Sequence, residues 1–173
     1  KYEKRYGYHL INVKAHKYKK KIISSSRIRK ELQLGNIKLA NQLLGRNWFI
    51  EGIVKKGKQL GRKLGYRTCN INIKNYVLPK VGIYLVKVSI VNQNKIYDGV
   101  SYIGSRPTFN GKKIFLETNI FKINKNLYGK KLRIYFISFM RRDQKFSNSA
   151  ALVKQMNKDV IFAKKGLKAK LVL

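Results

Sequence analysis

The sequence predicts a mainly β fold: about six short antiparallel strands closed into a small barrel, with short N-terminal helices before it and a C-terminal helix after it. Three observations carry that expectation. From Trp48 to Phe139 the apolar residues, many of them β-branched or aromatic, fall in short runs with loose alternation. Turn-forming groups separate the runs: Pro79, Asn92-Gln93-Asn94, Arg106-Pro107, Asn110-Gly111 and Tyr128-Gly129. After Phe146 the apolar spacing becomes helical.

Residues 1–22 are basic, and Tyr8 to Val13 is an apolar-aromatic candidate strand. Ser24, Ser25 and Ser26 precede Ile28, Glu31 and Leu32, which reads as an N-cap and the first turns of a helix that Gly35 ends. Asn36 is placed to cap a second helix, Ile37 to Leu44, with Leu39, Ala40, Leu43 and Leu44 on its buried side and Gly45 after its end. The expected strands are Phe49–Lys55, Ile71–Ile73, Ile83–Val91, Lys95–Ile103, Lys113–Phe121 and Leu132–Phe139. On the fifth, Ile114, Leu116, Thr118 and Ile120 share one face, and Phe115, Glu117, Asn119 and Phe121 the other. Ser147 or Ser149 is the expected cap of the last helix. Ala151, Leu152, Gln155, Met156, Val160 and Ala163 suit one continuous helix to about Lys165, followed by a frayed tail.

The 173 residues suffice for one ordinary domain and an appendage. Hydrophobic residues at 44% can fill a core. No apolar run approaches a membrane span, and the basic, aromatic start lacks a signal-peptide core. The first residue is Lys1, so the chain is expected to be a piece of something longer. A single cysteine, Cys69, rules out an internal disulfide and fits a reducing compartment, so the expected location is cytoplasmic.

Forty Lys and Arg against seven Asp and Glu give a formal charge of +33. Such a balance suits a polyanion partner. The cations are spread along the whole chain, however, and Lys, Asn and Ile are all abundant, which points to compositional drift with non-specific polyanion binding as a by-product. The acids are only Glu3, Glu31, Glu51, Asp98, Glu117, Asp143 and Asp159, and the histidines only His9 and His16. A histidine-rich or carboxylate-rich metal site cannot be built from these.

Two stretches could carry chemistry. In Gly57 to Asn70, glycines at 57, 61 and 65 let backbone N–H groups approach a ligand, and several cations in the loop attract anions. Thr68 and Asn70, one residue apart, point to one side of an extended chain and offer two neutral oxygens to a hard cation such as magnesium. From spacing alone a solvated basic loop is the readier reading, because the string is neither a Walker A nor a dinucleotide fingerprint. Glu117 is a lone carboxylate between two aromatics on a strand. Its alternatives are an exposed strand glutamate or a partner for one of the many cations.

These stretches resemble the riboflavin kinases. Gly61-Arg62-Lys63-Leu64-Gly65-Tyr66-Arg67-Thr68-Cys69-Asn70 is similar to the family's nucleotide-binding signature G-R-x-L-G-x-P-T-A-N. Leu116-Glu117-Thr118-Asn119-Ile120-Phe121 resembles L-E-T-H-L-F, whose glutamate is the catalytic base. Tyr97 to Phe109 resembles Y-x-G-V-x-x-I-G-x-R-P-T-F. Leu127-Tyr128-Gly129-Lys130 matches L-Y-G-K, Arg141 to Phe146 matches R-x-E-x-K-F with Asp143 for glutamate, and Leu43 to Arg46 matches L-L-G-R. The likeness runs unbroken over roughly residues 23–165.

The resemblance implies a Greek-key barrel and a kinase that phosphorylates riboflavin with ATP and Mg2+, giving FMN and ADP. It implies ATP contacts at Gly57, Gly61, Arg62, Thr68 and Asn70, with Thr68 and Asn70 also holding the metal. Glu117 would take the proton of the riboflavin 5′-hydroxyl. Ile120, Lys122, Tyr128, Arg141 and Phe146 would line the flavin. Departures from the family are Arg67 for proline, Cys69 for a small residue, Asn119 for histidine and Lys122 for aspartate.

Ser24-Ser25-Ser26-Arg27 resembles the I-S-S-T-x-I-R motif of nucleotidylyl transferases. In bacterial bifunctional FAD synthetases that motif ends the FMN adenylyltransferase domain, directly before the kinase. The H-x-G-H motif of that domain is absent here, so in this chain a capped linker helix is expected. The implied division is 1–44, the end of a nucleotidyltransferase domain with linker helices, and 45–173, the kinase barrel with its C-terminal helix. The implied partners are riboflavin, ATP and a missing N-terminal adenylyltransferase domain. The rival readings are a basic β-barrel nucleic-acid-binding protein with a decayed kinase site, and a fragment active only when joined to that missing domain.

Overall fold

The structure, a computed structural model, describes residues 2–11, 13–57, 61, 64–73, 76–108 and 111–166, without the side chains of 105–108 and 111–113. The tail expected to fray lies largely outside the described residues. Among the described residues twelve elements follow in order. They are α1 (Tyr2–Tyr6), β1 (Lys17–Tyr18), β2 (Lys21–Ile22), α2 (Ser25–Leu34), α3 (Ile37–Leu44), β3 (Phe49–Lys55), β4 (Thr68–Ile71), β5 (Gly82–Ile90), β6 (Ile96–Thr108), β7 (Gly111–Ile120), β8 (Lys131–Arg141) and α4 (Ser149–Gly166).

Six antiparallel strands close in the order β3-β4-β7-β6-β5-β8, with β8 returning to β3. The hairpin-linked strands β5, β6 and β7 are joined at the β5 side by β8, which is the Greek-key order expected. Closure gives each of the six strands a partner on both sides along part of its length. Alternation sends Val86, Val88, Leu116, Leu132 and Ile134 into the interior, each fully or almost fully buried. Tyr84 and Phe136 meet edge to face at 5.1 Å, and Trp48 lies 4.9 Å from Phe136.

The two short helices close against this core. Ser24 accepts from the N–H of Arg27 at 3.2 Å and so caps α2; Gly35, with φ of 83°, ends it in the left-handed conformation glycine tolerates. Leu32, Ile37 and Ala40 belong to the same buried cluster as the barrel interior. Asn41 stitches α3 to the barrel, donating to the Phe136 carbonyl at 2.9 Å and accepting from Trp48 N–H at 2.8 Å. Ile37 is the deepest α3 side chain after Ala40, whereas Leu39 and Leu44 are half-buried.

Five local expectations need correction. The strand expected at Ile71–Ile73 runs instead from Thr68 to Ile71, so it begins inside the glycine-rich stretch. Tyr8 to Val13 is not a strand: among the described residues it has no partner strand, and Leu10, Ile11 and Val13 are exposed. Asn36 sits at the N-cap of α3 without a side-chain cap bond, its amide donating instead to Glu31 at 2.7 Å. Arg106-Pro107 is not a turn, because β6 continues through it to Thr108. Beyond Ile103 that strand has a ladder partner only in β7, so a residue without an N–H is tolerated there. The cap of α4 is Asn148, which accepts from Ala151 N–H at 2.9 Å, rather than either neighbouring serine.

One surface pairing sets an acid limit on the barrel. Glu51 on β3 faces Arg133 on β8 across the ladder and contacts Arg133 at 2.7 Å and Lys131 at 3.3 Å. Partial burial pushes its carboxyl up, but hydrogen bonds from Arg133 and Lys131 outweigh burial and hold it below its ordinary value of 4.5. A carboxylate depressed in the folded state stabilises above its unfolded value and loses that contribution as pH falls through the folded one. Unfolding temperature is therefore expected to drop as pH is lowered below about 4.5, and less so in Glu51→Gln, measured by a melt series across pH.

Candidate functional site

The site grows from one strand pairing. In the β4–β7 register Thr68 lies opposite Asn119 and Asn70 opposite Glu117. Facing residues of an antiparallel pair share a face, so all four side chains project from the outer surface of the barrel. The alternate residues Ile71, Leu116 and Thr118 are buried on the inner side. Behind Glu117, the buried hydroxyls of Thr118 and Ser101 are hydrogen-bonded at 2.8 Å, which fixes β7 against β6.

Gly57 and Gly61 lie close against β4. A Cβ on Gly57 would collide with the side-chain amide of Asn70. A Cβ on Gly61 would stand 2.6 Å from the Tyr66 carbonyl oxygen and 3.2 Å from the Thr68 hydroxyl. The four-residue glycine spacing thus matches the two-residue spacing of Thr68 and Asn70, one glycine against each. Gly57→Ala is expected to displace the Asn70 side chain and so weaken ligand binding at Thr68 and Asn70 about tenfold, with stability changed by about 1 kcal/mol. Steady-state kinetics beside a thermal melt tests this.

Two cavities flank β4, and Thr68 and Asn70 line both. The first, about 290 Å³, lies between the outer sheet face and α4. Glu117, Asn119, Arg141 and Phe146 line it, and α4 contributes Leu152, Met156 and Val160. The second, about 360 Å³, is bounded by Val54, Cys69, Ile120, Leu127 and Tyr128, with Arg67 and Lys125 among its polar residues. The five residues expected to line a flavin therefore do not share one cavity. Arg141 and Phe146 are beside Glu117; Ile120 and Tyr128 are in the second cavity; Lys122, in the left-handed conformation with φ of 54°, lines neither. Arg62 lies outside the described residues.

The wall that α4 makes is held by a buried ion pair. Arg141, the last residue of β8, donates through Nε and Nη2 to both oxygens of Asp159 at 2.8 and 2.7 Å, and Gln155 donates to the same carboxylate at 3.0 Å. Asp159 is 6% exposed. The sequence reading passed it over, although Gln155, Asp159 and Ala163 follow each other at helical spacing on one face. Tyr66 ties the end of the glycine-rich loop to α4 through a hydrogen bond to Asn157. Burial, then the charge of Asp159, pushes the Tyr66 phenol above its ordinary value, which keeps it a donor. Tyr102, opposite Glu117 on β6, donates to Asp143 at 2.6 Å. Cys69 is half-buried on the core side of β4, and burial pushes its thiol up to about 11, so it is a packing residue.

The serine-arginine segment plays a different part. Ser24 is the α2 cap, and Arg27 braces the preceding hairpin by donating to the carbonyls of Tyr18, Lys21 and Ile22. Ser24, Ser25, Ser26 and Arg27 line neither cavity flanking β4.

Residues 44–167 match the family described as Flavokinase: Riboflavin kinase. The chain is 40% identical over 143 residues to the bifunctional riboflavin kinase/FMN adenylyltransferase of Bacillus subtilis, covering 80% of this chain and 45% of that protein. It is 39% identical over 163 residues to the protein of the same name in Buchnera aphidicola subsp. Schizaphis graminum, covering 92% and 52%. Among solved structures, a crystal structure described as a macrolide-efflux protein from Streptococcus pneumoniae superposes with a TM-score of 0.81 at 34% identity, over 88% of this chain and 50% of that one. The chain thus spans about half the length of the curated relatives it matches. A family match over most of its residues, on a closed six-stranded barrel, makes this chain a member of the riboflavin kinase family.

Proposed function

We propose that this chain transfers the terminal phosphoryl group of ATP to the 5′-hydroxyl of riboflavin, releasing FMN and ADP. The observation that carries this is the β4–β7 register. It sets a carboxylate, Glu117, which lines the cavity under α4, directly across from Asn70, which lines both cavities. The flavin occupies the cavity under α4, where Phe146, Leu152, Met156 and Val160 give apolar faces to a flat ring. The nucleotide occupies the second cavity, its phosphates crossing β4 beneath Gly57 and Gly61, with Arg62 in the same loop as a further phosphate contact. Tyr128 and Ile120 then face the nucleotide, and Arg141 and Phe146 the flavin.

Glu117 accepts the proton of the 5′-hydroxyl as that oxygen attacks the γ-phosphorus and the bond to ADP breaks. Among the described residues no three His, Cys, Asp or Glu side chains gather into a metal cluster. The neutral oxygens of Thr68 and Asn70, completed by phosphate oxygens, suit Mg2+, which takes few protein ligands. When bound, that ion neutralises charge on the phosphates. The retention of Thr68, Asn70 and Glu117, brought together by that register, argues against a decayed site.

Residues 1–44 are proposed to be the end of an adenylyltransferase domain by origin, although α2 and α3 pack into the barrel core. The parent protein is proposed to be cytoplasmic and to join FMN to AMP in that missing domain. No helix among the described residues is long and apolar enough to cross a membrane. The test is FMN formation from riboflavin and ATP, resolved by flavin separation, with a sample lacking magnesium. Magnesium-dependent FMN supports the reading; none from a folded protein overturns it.

A further inference from the structure

Two of the departures from the family pattern touch each other. Asn119, opposite Thr68, reaches one residue beyond the start of β4, and its Nδ2 donates to the Arg67 carbonyl at 2.8 Å. The Arg67 guanidinium donates in turn to Asn124 Oδ1 at 2.7 Å, in the loop between β7 and β8. Arg67, Asn124 and Lys125 all line the cavity that holds Thr68 and Asn70. Three separate segments thereby meet at Arg67, one through its backbone carbonyl and one through its side chain.

Resting on the kinase reading above, we infer that Arg67 is a nucleotide-binding residue, a phosphate contact held in place by Asn124 and Asn119. A guanidinium carries five N–H groups, so a bond to Asn124 coexists with a two-pronged grip on a phosphate. Arg67 immediately precedes Thr68, so a phosphate it grips is delivered to the Thr68 and Asn70 oxygens. A proline at this position stiffens the backbone through its ring. Here the Asn119 bond to the Arg67 carbonyl stiffens the same peptide, and the side chain is released to bind.

The test compares wild type with Arg67→Ala, Arg67→Lys, Arg67→Pro, Asn124→Ala and the Arg67→Ala/Asn124→Ala double variant. Steady-state FMN formation is read together with direct titration of MgADP. Arg67→Ala is expected to raise the ATP KM and the MgADP Kd about tenfold, the worth of one hydrogen bond to a charged group, with kcat and riboflavin KM within about twofold. Arg67→Lys should recover part of the loss, since an ammonium keeps the charge without the fork. Arg67→Pro should match Arg67→Ala. The double variant should bind MgADP no more weakly than Arg67→Ala, because Asn124 acts only through Arg67. Unchanged MgADP affinity in a folded Arg67→Ala, an Arg67→Pro that binds as well as wild type, or additive losses in the double variant would each overturn the inference. Wild-type protein that makes no FMN yet loses MgADP affinity on Arg67→Ala would sink the riboflavin reading and leave the Arg67 role standing.

Discussion

Glu117→Gln is expected to lower turnover by about two to four orders of magnitude while leaving riboflavin affinity within a few-fold of wild type. Glutamine keeps the length of the side chain, one carbonyl acceptor and the strand geometry. It loses the negative charge and one acceptor oxygen, and with them the ability to take a proton near neutral pH. The position is rigid on both sides: Asn70 faces it on β4 and Tyr102 on β6, and the residue after it, Thr118, is fully buried and bonded to Ser101. A change confined to one oxygen therefore has no route to unfold the strand, and the loss should fall on kcat. Riboflavin binding followed by its fluorescence, beside FMN production, separates the two. Equal losses in binding and turnover would assign Glu117 a structural part and return the base to another group in the cavity.

Much of this arrangement was legible because strands and helices here obey their periods. β3 runs from Phe49 to Lys55 as its alternation indicates, and the faces assigned to Leu116, Glu117, Thr118 and Asn119 hold in the barrel. What escaped were contacts between segments distant in sequence. The apolar run from Tyr8 to Val13 has strand composition, but composition supplies no partner, and an unpaired strand leaves its backbone groups to water. Asp159 is one of seven acids, and nothing next to it in the sequence marks it as buried, because its partner Arg141 is 18 residues away. The split of the flavin residues between two cavities was within reach of the same period-two rule. Ile120 shares the inner face with Leu116 and Thr118, so it cannot point where Glu117 points. Transferring roles as a group obscured what alternation alone separates.

Asp159→Ala should cost about 3–5 kcal/mol of stability, the largest effect expected of any single substitution in the α4 wall. The carboxylate has three donors within 3.0 Å and is almost fully buried, so its deletion strands two N–H groups of Arg141 in a site shielded from water. A protein of net charge +33 has few acids with which to replace it. Of the two other acids that line that cavity, Glu117 is on β7, and Asp143 is already bonded to Tyr102 and to the N–H of Gln144. Because Asp159 joins β8 to α4, the damage should be local in function: on the proposed assignment of the two cavities, riboflavin affinity falls with the loosened wall, while MgADP affinity stays within a few-fold. Urea denaturation and paired ligand titrations measure both parts, and Asp159→Asn, which keeps one acceptor, should fall between the variant and wild type. A loss below about 1 kcal/mol would mean that solvent reaches Arg141 and that the pair behaves as a surface bridge. Equal weakening of riboflavin and MgADP would mean that α4 supports the whole barrel rather than one of its cavities.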